Sequence, residues 1–215
     1  MINKKHTIKL IKYLHFIFIL LFSIGCTHAT INQPLAFPIE SKQFTHYYNQ
    51  APGVYEFYLK PEYQGKVINF DTQETKVPIK GAHFGNNVVT ASLHYFELGQ
   101  FELDGYLFKL IIYNRNDDSD IVLLNIQLNS YAPNGQLIDA LLLDSRFGFE
   151  EFERFSEFTI NQDVITIDSY ITYITEVIDG GELGNKIENP LPQPFIQEEY
   201  QINNGIFKLM SRTEF

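Results

Sequence analysis

From Gly53 onward the chain alternates runs of strand-forming residues with turn signals, roughly every 8–12 residues, a rhythm that suits antiparallel sheet and little else. Residues 122–129 show it most clearly. Val122, Leu124, Ile126 and Leu128 fall on one side of an extended chain, and Asn125, Gln127 and Asn129 fall on the other. That is the two-residue period of a strand with one apolar and one wet face. Ala132-Pro133-Asn134-Gly135 then turns the chain: Pro133 presets φ, and Gly135 takes positive φ without a steric clash. Residues 136–143 return as the second strand of the hairpin.

The same grammar recurs along the chain. Asp104-Gly105 is a tight-turn signal between Phe101-Glu102-Leu103 and Tyr106-Leu107-Phe108. Asn161-Gln162-Asp163 separates 158–160 from the long run 164–177, and Asn203-Asn204-Gly205 separates 195–202 from 206–210. Residues 54–60, 66–70, 76–80, 87–96 and 100–103 are further strand candidates. Residues 105–113 are apolar on both faces apart from Lys109, which predicts a central strand covered on both sides. Residues 179–194 hold Pro190, Pro192 and the run Asp179-Gly180-Gly181, and read as a loop. The 19 Phe and 13 Tyr agree with strands, since aromatic rings fill a pleated, half-buried surface. The expected fold is all-β: an antiparallel β-sandwich or barrel of about ten to twelve strands with little helix. The best helical candidate beyond the N-terminal region is 147–155.

The first 25 residues are of a different kind. Lys4, Lys5, Lys9 and Lys12 precede the apolar run Tyr13-Leu14-His15-Phe16-Ile17-Phe18-Ile19-Leu20-Leu21-Phe22, and Ser23-Ile24-Gly25-Cys26 follows. A basic start, a short apolar stretch and a small-residue end make a secretory signal. The run falls short of the roughly 20 residues that span a bilayer. Ser23-Ile24-Gly25-Cys26 resembles a bacterial lipobox, with Gly25 as the small residue before the cysteine and Ser23 where that class usually has Leu. The resemblance covers residues 1–26 only. It implies that Cys26 is lipidated and becomes the new N-terminus. Because Thr27 and not Asp follows, it also implies placement at the outer membrane, facing the periplasm or the cell surface. Cys26 is the only cysteine, so no intrachain disulfide can form. The expected organisation is a signal peptide over 1–25, lipidated Cys26 and a tether over 26–52 with part of it docked on the domain, and a single β domain over 53–215.

Charge narrows the partners. Without the four leader lysines the chain keeps 12 basic against 26 acidic residues, a net of −14. Such a surface repels phosphate backbones, so nucleic acid is not an expected partner. A basic protein is electrostatically welcome.

No residue pattern specifies a catalytic, cofactor or metal site. GxSxG, SxxK, GxGxxG and GxxxxGK[ST] are absent. Asn116, Asp118 and Asp120 alternate as oxygen ligands for calcium would, but Ile121 stands where an EF-hand requires Gly and Gln127 where it requires Glu. His46, His83 and His94 have no metal-ligand spacing. Phe149, Phe152 and Phe155 are spaced by three among Glu150, Glu151 and Glu153. On a helical turn the rings share a face and the acids lie elsewhere. They are the candidate partner contact, an aromatic patch rimmed by acids; the competing reading places the rings in the core. The expectation is therefore a membrane-anchored, non-enzymatic protein-binding module, of the inhibitor or immunity kind. The alternatives are a carboxylate-dependent hydrolase of cell-wall or surface polysaccharide and a ligand-holding β-barrel.

Overall fold

A computed structural model describes residues 33–51, 56–82, 87–116, 121–178 and 182–215. Residues 1–32, with the expected signal peptide and Cys26, lie outside them, as do His83 and residues 117–120 of the acidic loop. Eight long strands carry the fold: β6 (His94–Leu103), β7 (Tyr106–Asn116), β8 (Val122–Tyr131), β9 (Leu137–Gly148), β10 (Phe152–Asn161), β11 (Val164–Tyr173), β14 (Gln193–Asn203) and β15 (Ile206–Glu214). Seven short ones accompany them: β1 (Ile39–Glu40), β2 (Tyr48–Gln50), β3 (Phe57–Leu59), β4 (Ile68–Asn69), β5 (Ile79–Lys80), β12 (Thr175–Val177) and β13 (Leu183–Lys186). Among the described residues helix is confined to a 3-10 segment at Ser41–Tyr47, one α-turn at Pro61–Gln64 and one 3-10 turn at Glu74–Lys76. No helix among the described residues is long and apolar enough to cross a membrane.

The main sheet runs β15-β14-β11-β10-β9-β8-β7-β6-β4. It is bent at one corner. β9 and β10 share only two residue pairs, Gly148 with Glu153 and Phe147 with Arg154. Further along, β10 pairs with β1 instead, Ile160 with Ile39 and Thr159 with Glu40. The two halves face one another across a common core, and the sheet does not close, so the fold is a sandwich and not a barrel. Phe108, Leu110, Ile112, Leu124, Ile126 and Leu128 supply one side of that core; Phe158, Ile160, Ile165, Ile167, Tyr200 and Phe207 supply the other. The space a ligand-holding barrel keeps hollow is occupied by rings: Phe101 stacks on Phe108 at 4.9 Å, and Phe207 lies 6.1 Å from Phe108. Ile39 and Phe44, from the stretch assigned to the tether, are fully buried here. Phe44 stacks 6.2 Å from Phe158.

Two expectations about strands change and a third is refined. Residues 147–155 are not helical. Phe147 and Gly148 end β9, the Phe149 N–H donates to the Phe152 carbonyl at 2.7 Å, and β10 begins at Phe152. Strand pairing of Phe152–Asn161 with β11 along its whole length outweighs the local three-residue spacing of the rings. The 179–194 loop also contains β13, which pairs with β12.

The second change concerns the wet face of β8. Asn125, Gln127 and Asn129 are at most 3% exposed. Phe70, Ile79 and Val89 lie over that face and form a second apolar cluster with Tyr95, Ile111, Tyr113, Ala140 and Leu142 of the sheet. β7 is thus covered on both sides, as its apolar sequence predicts, with Leu110 and Ile112 in one cluster and Ile111 and Tyr113 in the other.

Ion pairs secure the seams. Asp144 accepts the Ser156 N–H at 2.6 Å and pairs with Arg146 at 3.3 Å. Arg146 lies over the rings of Tyr48, Phe57 and Phe155 at 5.0–5.4 Å, holding the β2–β3 hairpin against the sheet. Burial raises the Asp144 carboxyl above the usual range, and the Arg146 charge opposes that rise. Asp139 joins β9 to β15 by accepting the Phe207 N–H at 2.8 Å and pairing with Lys80 at 2.5 Å. At the outer edge, β15 carries Lys208 and Arg212 and a bulge at Met210, devices that discourage edge-to-edge pairing.

Two turns place consecutive residues at positive φ: Asp104 (52°) with Gly105 (81°), and Asn204 (50°) with Gly205 (74°). Both match the hairpin turn whose twist suits the flanking strands. They differ in surroundings. A Cβ at Gly105 meets nothing within 4 Å, whereas one at Gly205 sits 2.9 Å from Ser130 Oγ and from the Tyr106 ring. Gly105→Ala is expected to cost about 1 kcal/mol of stability through backbone strain alone, and Gly205→Ala about 2–4 kcal/mol because the neighbours must also move. Urea unfolding of the two variants checks the order; equal losses would show that the contacts around Gly205 yield freely.

Candidate functional site

The buried polar face of β8 leads to the most distinctive cavity. Strand geometry sets Gln127, Asn129 and Tyr131 in a row at two-residue intervals. Tyr113 donates its hydroxyl to Gln127 Oε1 at 2.8 Å, Gln127 Nε2 donates to Asn129 Oδ1 at 2.6 Å, and Asn129 Nδ2 donates to the Tyr131 hydroxyl at 3.1 Å. Tyr131 in turn donates to Glu74 Oε1 at 2.6 Å, with the Tyr95 hydroxyl 3.5 Å from the same oxygen. Each polar group in this row is satisfied by the next, which offsets the cost of taking it out of water.

Glu74 is delivered by a local device. Asp71 Oδ1 accepts the N–H groups of Gln73 and Glu74 at 2.6 and 2.9 Å, and Glu74 Oε2 accepts the Asp71 N–H at 2.9 Å. These reciprocal bonds close the turn that leads into the 3-10 segment. It points the Glu74 side chain back onto the sheet, where the residue is 7% exposed.

Around it lies a cavity of about 300 Å³, lined by Asn69, Asp71, Glu74, Tyr95, Leu107, Lys109, Tyr131 and Gly135. Its charges are unevenly matched. Lys109 pairs with Glu97 at 3.3 Å and sits 5.5 Å above the Tyr131 ring. Asp139, Asp144 and Glu198, the other buried carboxylates, each have a cation: Lys80, Arg146 and Arg212. Among the described residues Glu74 is the buried carboxylate without an ion pair, held by hydroxyl and amide donors alone. Burial and the Glu74 charge push the Tyr131 and Tyr95 hydroxyls well above the ordinary tyrosine range, with Glu97 adding to the rise at Tyr95. Burial pushes Tyr113 up to about 12.

The residues expected to form a partner contact lie elsewhere, at the β9–β10 corner. Phe149 and Phe152 pack together at 5.1 Å, joined by Phe147 and by Tyr173. Phe155, three residues along a strand and not a helix, falls on the opposite strand face from Phe152 and stacks on Tyr170 at 5.4 Å. The structure therefore does not gather the three rings into one patch. Glu150 is exposed, the Glu151 carbonyl accepts the N–H groups of Ile174 and Thr175, and Glu153 accepts Gln50 Nε2 at 2.8 Å. His46 stacks on Tyr47 at 4.1 Å and His94 is exposed. No three His, Cys, Asp or Glu side chains among the described residues are grouped to hold a metal ion. Glu74 was missed from sequence. The signal was Asp71-Thr72-Gln73-Glu74, a capping-box spacing without an apolar run behind it.

Two measurements check the site. Tyr95, Tyr113, Tyr131 and Tyr200 are expected to stay protonated through the ordinary tyrosine transition at pH 10, then ionise as the protein unfolds. Their folded values lie above the unfolded one, so the stability they contribute is complete below pH 10 and drains away as pH rises toward the folded values. Phenolate absorbance against pH reads this; full ionisation near pH 10 with the fold intact would contradict the hydrogen-bonded row. Glu74→Leu, which strands the hydroxyl and amide donors, is expected to cost about 2–4 kcal/mol in urea unfolding, and Glu74→Gln about 1. Comparison of the chain with family models, curated proteins and solved structures finds no match.

Proposed function

We propose that the protein is a lipid-anchored module of the cell envelope that binds a basic protein partner and performs no chemistry on it. The observation that carries the reading is the uncompensated acid at the Glu74 cavity, set in a chain with a net charge of −14 after its leader. Complementary potentials steer association and favour basic partners over others. Attachment through Cys26 at the outer membrane, facing the periplasm or the cell surface, is the part of the proposal that rests on the leader. An inhibitor or immunity role fits a module that meets its target by charge.

The geometry gives the hydrolase alternative less support. A glycosidase-like pair needs one carboxylate free to give and take a proton while the other faces it across a substrate. Glu74 Oε1 accepts the Tyr131 hydroxyl, Glu74 Oε2 accepts the Asp71 N–H and Asp71 Oδ1 accepts two N–H groups of the turn, so both acids are committed to holding structure together, although Oε2 and Asp71 Oδ2 keep spare lone pairs.

Two arms test the proposal. Cells fed a labelled fatty acid should label the protein, and Cys26→Ala should remove the label and release the chain from the membrane fraction. Immobilised full chain should retain a basic envelope protein at low salt and lose it steeply as salt rises, since exposed charge pairs are screened over about 10 Å at ordinary ionic strength. Unlabelled protein with an unchanged membrane distribution sinks the anchor; salt-independent retention, or none, sinks the charge-led binding.

A further inference from the structure

We infer that the Glu74 cavity is the receptor for a single organic cation, the ammonium or guanidinium of a lysine or arginine side chain; this deepens the reading above and rests on it. Four features converge. The first is the mismatch: buried carboxylates elsewhere in the described structure have cations, and Glu74 does not. Buried charge is ordinarily paired, because leaving it alone in a low dielectric is costly.

The second is spare acceptor capacity aimed at the cavity. An ionised carboxylate offers about four lone-pair sites. Glu74 Oε2 takes one backbone N–H, and Asp71 uses Oδ1 for both of its bonds. The remaining lone pair of Oε2 and the whole of Asp71 Oδ2 are left for a donor with several N–H groups. Ammonium and guanidinium are such donors.

The third is the wall. The Tyr95 and Tyr131 rings flank the acids, and Tyr131 already carries a cation, Lys109, 5.5 Å from its centre. A ring with its hydroxyl bonded to a carboxylate is electron-rich and suits a cation over its face. Lys109 does not itself fill the role, because Glu97 holds it.

The fourth is size. About 300 Å³ lies at the lower end of small-molecule pockets. It accommodates one side chain and not a segment of polymer. The cavity is thus the anchoring pocket of a protein contact, the kind of place where a central arginine contributes most to binding.

The test uses full chain in detergent and radiolabelled n-butylguanidinium, a single guanidinium on an alkyl stem, in equilibrium dialysis. Saturable binding is expected. Glu74→Gln should weaken it about ten-fold or more, the loss of one charge-assisted hydrogen bond. Asp71→Asn keeps the oxygen that accepts the turn N–H groups and should weaken it by a smaller factor, and Glu199→Gln, exposed on β14 and outside the cavity lining, should change nothing. Thermal unfolding of each variant confirms that it is folded at the assay temperature. Equal binding by wild type and Glu74→Gln, equal binding of an uncharged analogue such as valeramide, or no saturable binding at all would overturn the inference. If n-butylguanidinium fails while the basic partner is still retained at low salt, the cavity is wrong and the binding module stands. If n-butylguanidinium binds and no partner is retained, the module is wrong and the cation site stands.

Discussion

The hydrogen-bonded row from Tyr113 through Gln127, Asn129 and Tyr131 to Glu74 allows a second layer to exist. Without it, Phe70, Ile79 and Val89 would lie on a face of amides with no partners, and each stranded group would cost about 1–3 kcal/mol. With it, the polar side of the sheet becomes an interior, and Phe70, Tyr95, Ile111 and Tyr113 can pack there. The apolar cluster and the polar row therefore support one another. Neither face of the layer is purely oily, and the polar part fixes where the covering segment must sit, because Glu74 has one place to reach the Tyr131 hydroxyl.

The same arrangement explains the electrical character of the site. Most buried acids here act as fasteners between strands: Asp139 ties β9 to β15, Asp144 ties β9 to β10, and Glu198 of β14 holds Arg212 of β15. In each case an arginine or lysine balances the charge. Glu74 fastens through neutral donors, so its charge is positioned but not cancelled. Fixed charge facing a cavity is a way to prepare a receptor before its ligand arrives, since little reorganisation remains when a cation enters.

Much of the architecture was legible because strands announce themselves locally. The alternation along 122–129, the turn dipeptides Asp104-Gly105 and Asn204-Gly205, and the doubly apolar 105–113 all reappear as β8, two tight hairpins and the central β7. What sequence pattern does not convey is which chain segment lies over a given face. Asn125, Gln127 and Asn129 look solvated because amides usually are, and only a distant segment, with Glu74 far off in sequence, makes them interior. The rings at 147–155 misled for a related reason. Their spacing by three suits a helix, but the pairing that decides their conformation comes from residues 164–173. The candidate site was hidden altogether, since Glu74, Tyr95, Lys109 and Tyr131 are brought together by four separate elements and no spacing links them.

The order of strands in the sheet has a kinetic meaning. From β6 to β11 every neighbour in space is the next strand in sequence, and β14 and β15 again form a hairpin. Closing such short loops costs little entropy. Ile39 must instead find Ile160 across about 120 residues, a closure dearer by about 3 kcal/mol than a four-residue turn. Assembly by successive zippering from the middle of the chain, with the N-terminal stretch laid across last, is the cheap route. A chain that emerges N-terminus first would then hold residues 39–44 in reserve until the rest of the sheet offers them a place to dock.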